Sequence, residues 1–157
     1  AVGVIPRLVD MGVKPFLLPP TLSVAIAQRL VSKLCSFCKK KVKPRKEIQD
    51  IILKEIDALP PVIKKRVKIP SPLFIYEAQG CKKCGSKGFA GRIGVFEAVL
   101  MDEAIEKITI ANPSEREIKK AAEPQNILTM REDGVFKVLQ GTTTLEEVER
   151  AVGHEGD

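Results

Sequence analysis

The sequence predicts an α+β fold, mainly helical, in which a small unit built on paired cysteines precedes a C-terminal helical bundle. Three observations predict it. Two C-x₂-C pairs, Cys35/Cys38 and Cys81/Cys84, stand far apart in the chain. Two β-favouring segments, Leu73 to Tyr76 and the run in "GRIGVFEAVLM", flank the second pair. The last third repeats helix-capping signals ahead of apolar periodicity.

In chain order, "VGVIPRLVDMG" predicts a short helix closed by Gly12, a residue suited to a left-handed cap. "KPFLLPP" is a proline-bounded connector. Thr21 is placed to cap a helix through "LSVAIAQRLVSKL", where Leu22, Ile26, Leu30 and Leu34 recur at helical spacing and form an expected core face. On this reading Cys35 ends a helix and Cys38 lies on the turn after it. "KEIQDIILKEIDAL" puts Ile48, Ile51, Ile52, Ile56 and Leu59 on one helical face, and Pro60 and Pro61 stop it. A strand follows at Leu73 to Tyr76, and another is entered through Gly91 and Gly94. Asp102 is set to cap "EAIEKITI". "SERE" (Ser114 to Glu117) and "TLEE" (Thr144 to Glu147) have capping-box spacing. "ILTMREDGVFKVLQG" is amphipathic through Leu128, Val135, Phe136 and Leu139, with Gly141 to end it and Gly134 weakening it.

Composition bounds the function. The chain has 157 residues, 44% apolar and 29% charged, enough for one domain or two small ones. There is no tryptophan, so the core relies on Ile, Leu and Val. No apolar run approaches a membrane span, and the start lacks the layout of a signal peptide. It also lacks an initiator Met, and the N-terminus reads as a cut inside a longer polypeptide. The net charge is +6, concentrated in "KKKVKPRK" (Lys39 to Lys46) and "KKRVK" (Lys64 to Lys68). Such runs bind nucleic acid or anionic lipid, or simply face water. Only Phe37 adjoins the first run, which therefore lacks the interleaved aromatics of a single-strand binding surface.

No active site assembles from the sequence. There is no G-x-x-x-x-G-K-[ST] loop, and "GSKGFAG" reads as turns beside the cysteines. His154 is the only histidine and lies in the tail. Glu97 and Asp102 are explained by a strand edge and a helix cap.

The cysteines carry the chemistry. Two C-x₂-C pairs are the strong form of a zinc signal: each turn brings two sulfurs to one metal, and zinc prefers four soft ligands in a tetrahedron. The loop from residue 39 to 80 is long, but each doubling of loop length adds only about 0.6 kcal/mol. Structural zinc contributes roughly 10–16 kcal/mol in small peptides. Gly85 follows Cys84 and accepts the positive φ of a sharp knuckle, with its N–H expected to aim at sulfur; Lys39 holds the equivalent place after Cys38. Lys33, Lys39, Lys40, Lys82, Lys83 and Lys87 offset the −2 of four thiolates and Zn²⁺, which would lower the formal charge to about +4. Disulfides suit a secreted protein, and a redox C-x-x-C needs one pair, not two. An iron–sulfur cluster also takes four cysteines, and spacing does not choose between it and zinc. Four thiolates leave no open position for metal catalysis.

"IPRLVDMGVKPFLL", "AQRLVSKLC", "GCKKCGSKGFAGRIGVFE" and "MREDGVFKVLQGTTTLEEV", in that order, resemble the C-terminal part of the type II secretion and type IV pilus assembly ATPases. The most specific piece is Gly88, Phe89, Gly91, Arg92, Gly94, Val95, Phe96 and Glu97 after the second pair. The segment Lys39 to Tyr76 is the least similar. Ser36, where relatives often carry proline, and Pro19 and Pro20 also depart from the pattern. The resemblance implies a hexameric motor of RecA-like fold on the cytoplasmic face of the inner membrane. Its ATP hydrolysis, with Mg, moves a membrane platform protein that adds pilin or pseudopilin subunits. It implies a tetracysteine zinc subdomain matching Cys35, Cys38, Cys81 and Cys84. The nucleotide-binding motifs would lie upstream of residue 1, and residue 1 would fall inside the RecA-like core.

The expected divisions are residues 1–34 as the last piece of the RecA-like core, and 35–100 as the zinc subdomain with a variable insertion at 39–76. Residues 101–153 form a C-terminal helical subdomain, and 154–157 a frayed tail. The expected function is zinc-organised architecture with subunit and platform contacts, without ATP turnover by this chain alone. Arg7, Arg29 and Arg92 are the interface candidates, because arginine makes directed, bidentate contacts. No specific nucleic-acid partner is expected. The alternative is a stand-alone zinc-ribbon protein binding nucleic acid or an anionic membrane surface through its lysine runs.

Overall fold

A computed structural model describes residues 1–65, 69–111 and 114–153. The second lysine run from residue 66, His154 and the expected frayed tail lie outside the described residues. Eight α-helices and four strands are formed among the described residues, an α+β fold. The strands make two small sheets, β1 (Val24–Leu34) with β4 (Phe89–Leu100), and β2 (Lys40–Val42) with β3 (Ile75–Glu77). The chain divides into two compact units, Ala1–Ala27 with Glu97–Thr129, and Gln28–Phe96 with Met130–Asp157.

The first unit contains α1 (Val4–Asp10), a 3-10 turn at Pro15–Leu17, α2 (Leu18–Thr21), α5 (Glu103–Ile110) and α6 (Glu115–Ala122). Gly12 closes α1 at φ +92°, where its N–H donates to the Val9 carbonyl. The Asp102 carboxylate accepts the Ile105 N–H at 3.0 Å and starts α5. Ser114 and Glu117 form the full capping box of α6. Ile5, Leu18, Val99, Ile105 and Ile118 are buried together as the core, so these caps orient helices whose apolar faces meet. The Ala1 amino group pairs with the Glu97 carboxylate.

The second unit contains α3 (Lys46–Ala58), α4 (Pro61–Lys64), α7 (Met130–Leu139) and α8 (Leu145–Val152), with both members of the β2–β3 pair. That pair is antiparallel, with Lys40 opposite Glu77 and Val42 opposite Ile75. Helix α3 buries Ile52 and Ile56, with Leu59 just past its end, and Pro60 and Pro61 stop it as expected. It is tied down by charge as well: Arg131 of α7 binds Glu55 of α3 and Glu149 of α8, and donates to the Gly153 carbonyl. Gly134 has a packing reason to sit inside α7. A Cβ there would fall 2.4 Å from a methyl of the fully buried Val148 on α8.

One element differs from the sequence reading. The segment expected as a helix through "LSVAIAQRLVSKL" is strand β1. Ile26 and Leu30, expected in the core, are 65% and 50% exposed. Thr21 caps no following helix; its hydroxyl donates back to the Leu17 carbonyl and ends α2. The cause is periodic: apolar residues four apart share a face in a helix and also in a strand, because four is a multiple of two. The β-branched Val24 and Ile26, two apart, favour the strand. Smaller differences also appear. Helix α7 starts at Met130 rather than Ile127, and β3 is shifted to Ile75–Glu77.

Candidate metal centre

A strand end and two tight turns deliver the cysteines. Cys35 directly follows β1, and Cys38 ends the turn that leads into β2. Cys81 and Cys84 bracket a 3-10 turn between β3 and β4. Gly85 adopts φ +60° after Cys84, as the knuckle requires. Its N–H donates to the Lys82 carbonyl, not to sulfur as expected. The donors to sulfur are other amides: the N–H groups of Cys81 and Gly88 each reach Cys84 Sγ at 3.2 Å, and the Cys84 N–H reaches Cys81 Sγ. The two knuckles are joined by the backbone, since the Cys35 N–H donates to the Gly88 carbonyl at 2.9 Å.

All four sulfurs lie within 4.8 Å of one another. The separations are 3.9 Å for Cys35–Cys81, 3.9 Å for Cys38–Cys84 and 3.7 Å for Cys81–Cys84. A tetrahedron with metal–sulfur bonds of 2.3 Å has edges of about 3.8 Å. The four thiols are free, and no two are at bonding distance. Donor chemistry and spacing therefore both fit a four-coordinate metal ion.

The clustered thiols differ in their electrostatic surroundings. Burial and the neighbouring thiols of Cys35, Cys81 and Cys84 push Cys38 up to about 12. Burial also pushes on Cys84, but the N–H groups of Cys81 and Gly88 outweigh it and hold that thiol down to about 6. Four thiolates in one cage would need a cation among them, and a divalent ion would supply that charge.

The knuckles are welded to the α7–α8 turn. The Leu34 N–H donates to the Thr142 carbonyl at 2.8 Å, and the buried Thr143 hydroxyl to the Ser32 carbonyl at 2.8 Å. Lys39 leaves the sulfurs: its ammonium donates to the Gly141 carbonyl at 2.6 Å and lies 4.6 Å from the Tyr76 ring centre. Gly141 has φ +66°, and a Cβ there would meet the Tyr76 ring at 2.3 Å. Sequence reasoning gave Tyr76 and Gly141 only local roles. Nothing in their spacing reveals that they meet. The Thr144 hydroxyl accepts the Glu147 N–H as expected, but Glu147 does not complete a capping box. Its carboxylate accepts instead from the Ser32 N–H and pairs with Arg150.

Arg7 on α1, Arg29 on β1 and Arg92 on β4 are exposed, and none has an ion-pair partner among the described residues. None belongs to the cysteine cluster. No helix among the described residues is long and apolar enough to cross a membrane.

Cys35 and Cys38 lie between β1 and β2, and Cys81 and Cys84 between β3 and β4. The chain matches the type II/IV secretion system protein family over residues 1–150 and belongs to it. Among its relatives, it is 40% identical over 153 residues to the type II secretion system ATPase E of Vibrio cholerae, covering 96% of this chain and 27% of that protein. It is 37% identical over 149 residues to the type IV pilus assembly ATPase PilB of Thermus thermophilus, covering 94% of this chain and 15% of that one. The type II secretion system protein E of Pseudomonas aeruginosa is 36% identical over 155 residues, 99% of this chain and 28% of its own length. The chain therefore corresponds to a part, well under a third, of these secretion and pilus assembly proteins.

Proposed function

We propose that the chain is the C-terminal part of a hexameric cytoplasmic ATPase, bound at the inner membrane, that powers type II secretion or type IV pilus assembly. Its own contribution is architecture. Cys35, Cys38, Cys81 and Cys84 hold one structural zinc, and the ion cross-links two knuckles that the backbone alone joins weakly. With four protein ligands the ion has no open position, so it organises and does not catalyse. ATP and Mg belong to upstream residues, since no phosphate-binding loop is present in this sequence. The exposed Arg7, Arg29 and Arg92 offer contacts to neighbouring subunits and to the membrane platform protein. The observation that carries the reading is the sulfur cage in a chain of this family.

The experiment compares this chain with the full protein that contains it, both purified without added metal. The expected result is one zinc per chain in each, ATP turnover in the full protein only, and loss of that turnover on Cys81→Ser. Zinc-dependent ATP turnover by this chain alone would overturn the assignment.

A second reading has one observation in its favour. Lys40, Lys41, Lys43, Lys82, Lys83 and Lys87 are exposed. A stand-alone module using them on nucleic acid would bind with a steep salt dependence. A flat isotherm at low salt removes it, and liposome flotation separates a lipid target.

A further inference from the structure

The last residues of β1 are held from both edges. Backbone groups of successive residues in a strand point to opposite edges. Toward the β4 side, the Cys35 N–H donates to the Gly88 carbonyl at 2.9 Å. On the other edge, three bonds of 2.8 Å come from the α7–α8 segment. The Leu34 N–H donates to the Thr142 carbonyl, the buried Thr143 hydroxyl to the Ser32 carbonyl, and the Ser32 N–H to the Glu147 carboxylate. Ser32 is therefore gripped at both of its backbone groups, shortly before Cys35.

Glu147 is the unusual member of this grip. It holds the same place in α8 that Glu117 holds in α6, where Glu117 reaches back to its own N-cap N–H. Glu147 leaves that local bond unmade and takes Ser32, 115 residues away in the chain. Its pairing with Arg150 does not account for this. The Arg150 side chain is 71% exposed, and an exposed ion pair contributes about 0–1 kcal/mol. The Glu147 side chain is 12% exposed, so burial opposes its charge, and the Ser32 hydroxyl and N–H do more than Arg150 to keep it ionised. Cys35, at the end of the gripped strand, is 1% exposed, so the course of the backbone decides where its sulfur lies.

Resting on the zinc reading above, we infer that Glu147 is a positioning residue of the metal centre: through Ser32 it sets where β1 delivers the Cys35 sulfur. It does not belong to the ligand cluster. Its bond pre-places one ligand, and a ligand already in place loses less freedom when the ion binds. Without the bond the end of β1 is looser, and part of the binding free energy goes into fixing it.

The test measures the zinc affinity of the chain by competition with a chromogenic chelator, with circular dichroism to follow the helices. Glu147→Ala should weaken zinc about tenfold, the lower end of the loss typical for residues that support metal ligands from outside. Glu147→Asp keeps the charge but falls short of Ser32; it should weaken zinc likewise, and it decides the matter should Glu147→Ala not fold. Glu147→Gln loses the charge but keeps an oxygen for the Ser32 N–H, and should retain most of the affinity. Thr144→Ala removes the α8 cap and should destabilise the helix without moving zinc affinity. Unchanged affinity in Glu147→Ala or Glu147→Asp, as large a loss in Glu147→Gln as in Glu147→Ala, or an equal loss in Thr144→Ala would overturn the inference while leaving the zinc centre intact. Absence of zinc from the starting protein would instead overturn the metal reading on which it stands.

Discussion

The two units of this chain are stabilised differently. The first, Ala1–Ala27 with Glu97–Thr129, closes on aliphatic side chains: Ile5, Leu18, Val99, Ile105 and Ile118 are all buried, and its helices are capped. In the second, Gln28–Phe96 with Met130–Asp157, Ile52, Ile56, Val138 and Val148 are also buried, but β2 and β3 beside the cysteine turns are short. Three residues each in β2 and β3 bury too little apolar surface to hold the cysteine turns by themselves. The first unit rests on burial and helix caps, whereas the second combines a larger buried core with four clustered cysteines whose closure, on the proposed reading, falls to an ion.

Metal removal breaks the comparison most strongly. With the zinc chelated, amide protection should collapse across residues 35–42 and 75–88, while α5 and α6 keep theirs. Structural zinc sites contribute roughly 10–16 kcal/mol in small peptides, so the effect should exceed any point change. Hydrogen exchange by segment reads it. Equal loss in both units would contradict the division.

In the first unit, Ile105→Ala should cost about 2–5 kcal/mol by emptying a fully buried site, with zinc content unchanged. Denaturant melting and metal analysis check both halves of that statement. In the second unit, Gly141→Ala should cost about 2 kcal/mol or more, from a left-handed backbone and collision with the Tyr76 ring. It should also loosen zinc, because the Gly141 carbonyl anchors Lys39 beside Cys38. Competition with a chelator measures this, and unaltered zinc affinity would show that the clasp and the centre are independent.

These effects show how far the sequence reaches. Local chemistry was readable: the Asp102 and Ser114 caps, the apolar face of α3, the Gly12 stop and the two cysteine pairs are encoded within a few residues of where they act. Strand β1 was not, because apolar spacing of four suits both periods. The Lys39–Gly141–Tyr76 clasp was also hidden, since it joins residues distant in the chain. Gly134 reads as a defect in a helix until Val148 is placed against it. The cage lies between these cases: the spacing within each pair named the candidate ligands, but only the fold brings the pairs together.

Acid provides the smallest and finest comparison. Asp102 is held below its usual 3.8 by the Ile105 N–H, with burial opposing and Gln125 assisting. Glu117 is held below 4.5 by the Ser114 hydroxyl and N–H. In Glu147 burial opposes, and the Ser32 hydroxyl and N–H together with Arg150 prevail to hold it below its usual 4.5. Each folded value lies below the unfolded one. The stability these groups contribute is therefore present above their ordinary values of 3.8 and 4.5 and lost as pH falls through the lower folded ones. The cage responds earlier, since protons compete with metal for thiolate. A pH titration that follows zinc and helicity together should show zinc leaving before the caps fail. Ser114→Ala should weaken α6 by about 1 kcal/mol and leave zinc release unmoved.

X-ray absorption at the zinc edge, on protein purified without added metal, tests the central claim most directly. The account predicts one zinc per chain with four sulfur neighbours at about 2.3 Å. Zinc with nitrogen or oxygen neighbours, or a chain without zinc whose four thiols are all accounted for, would contradict it.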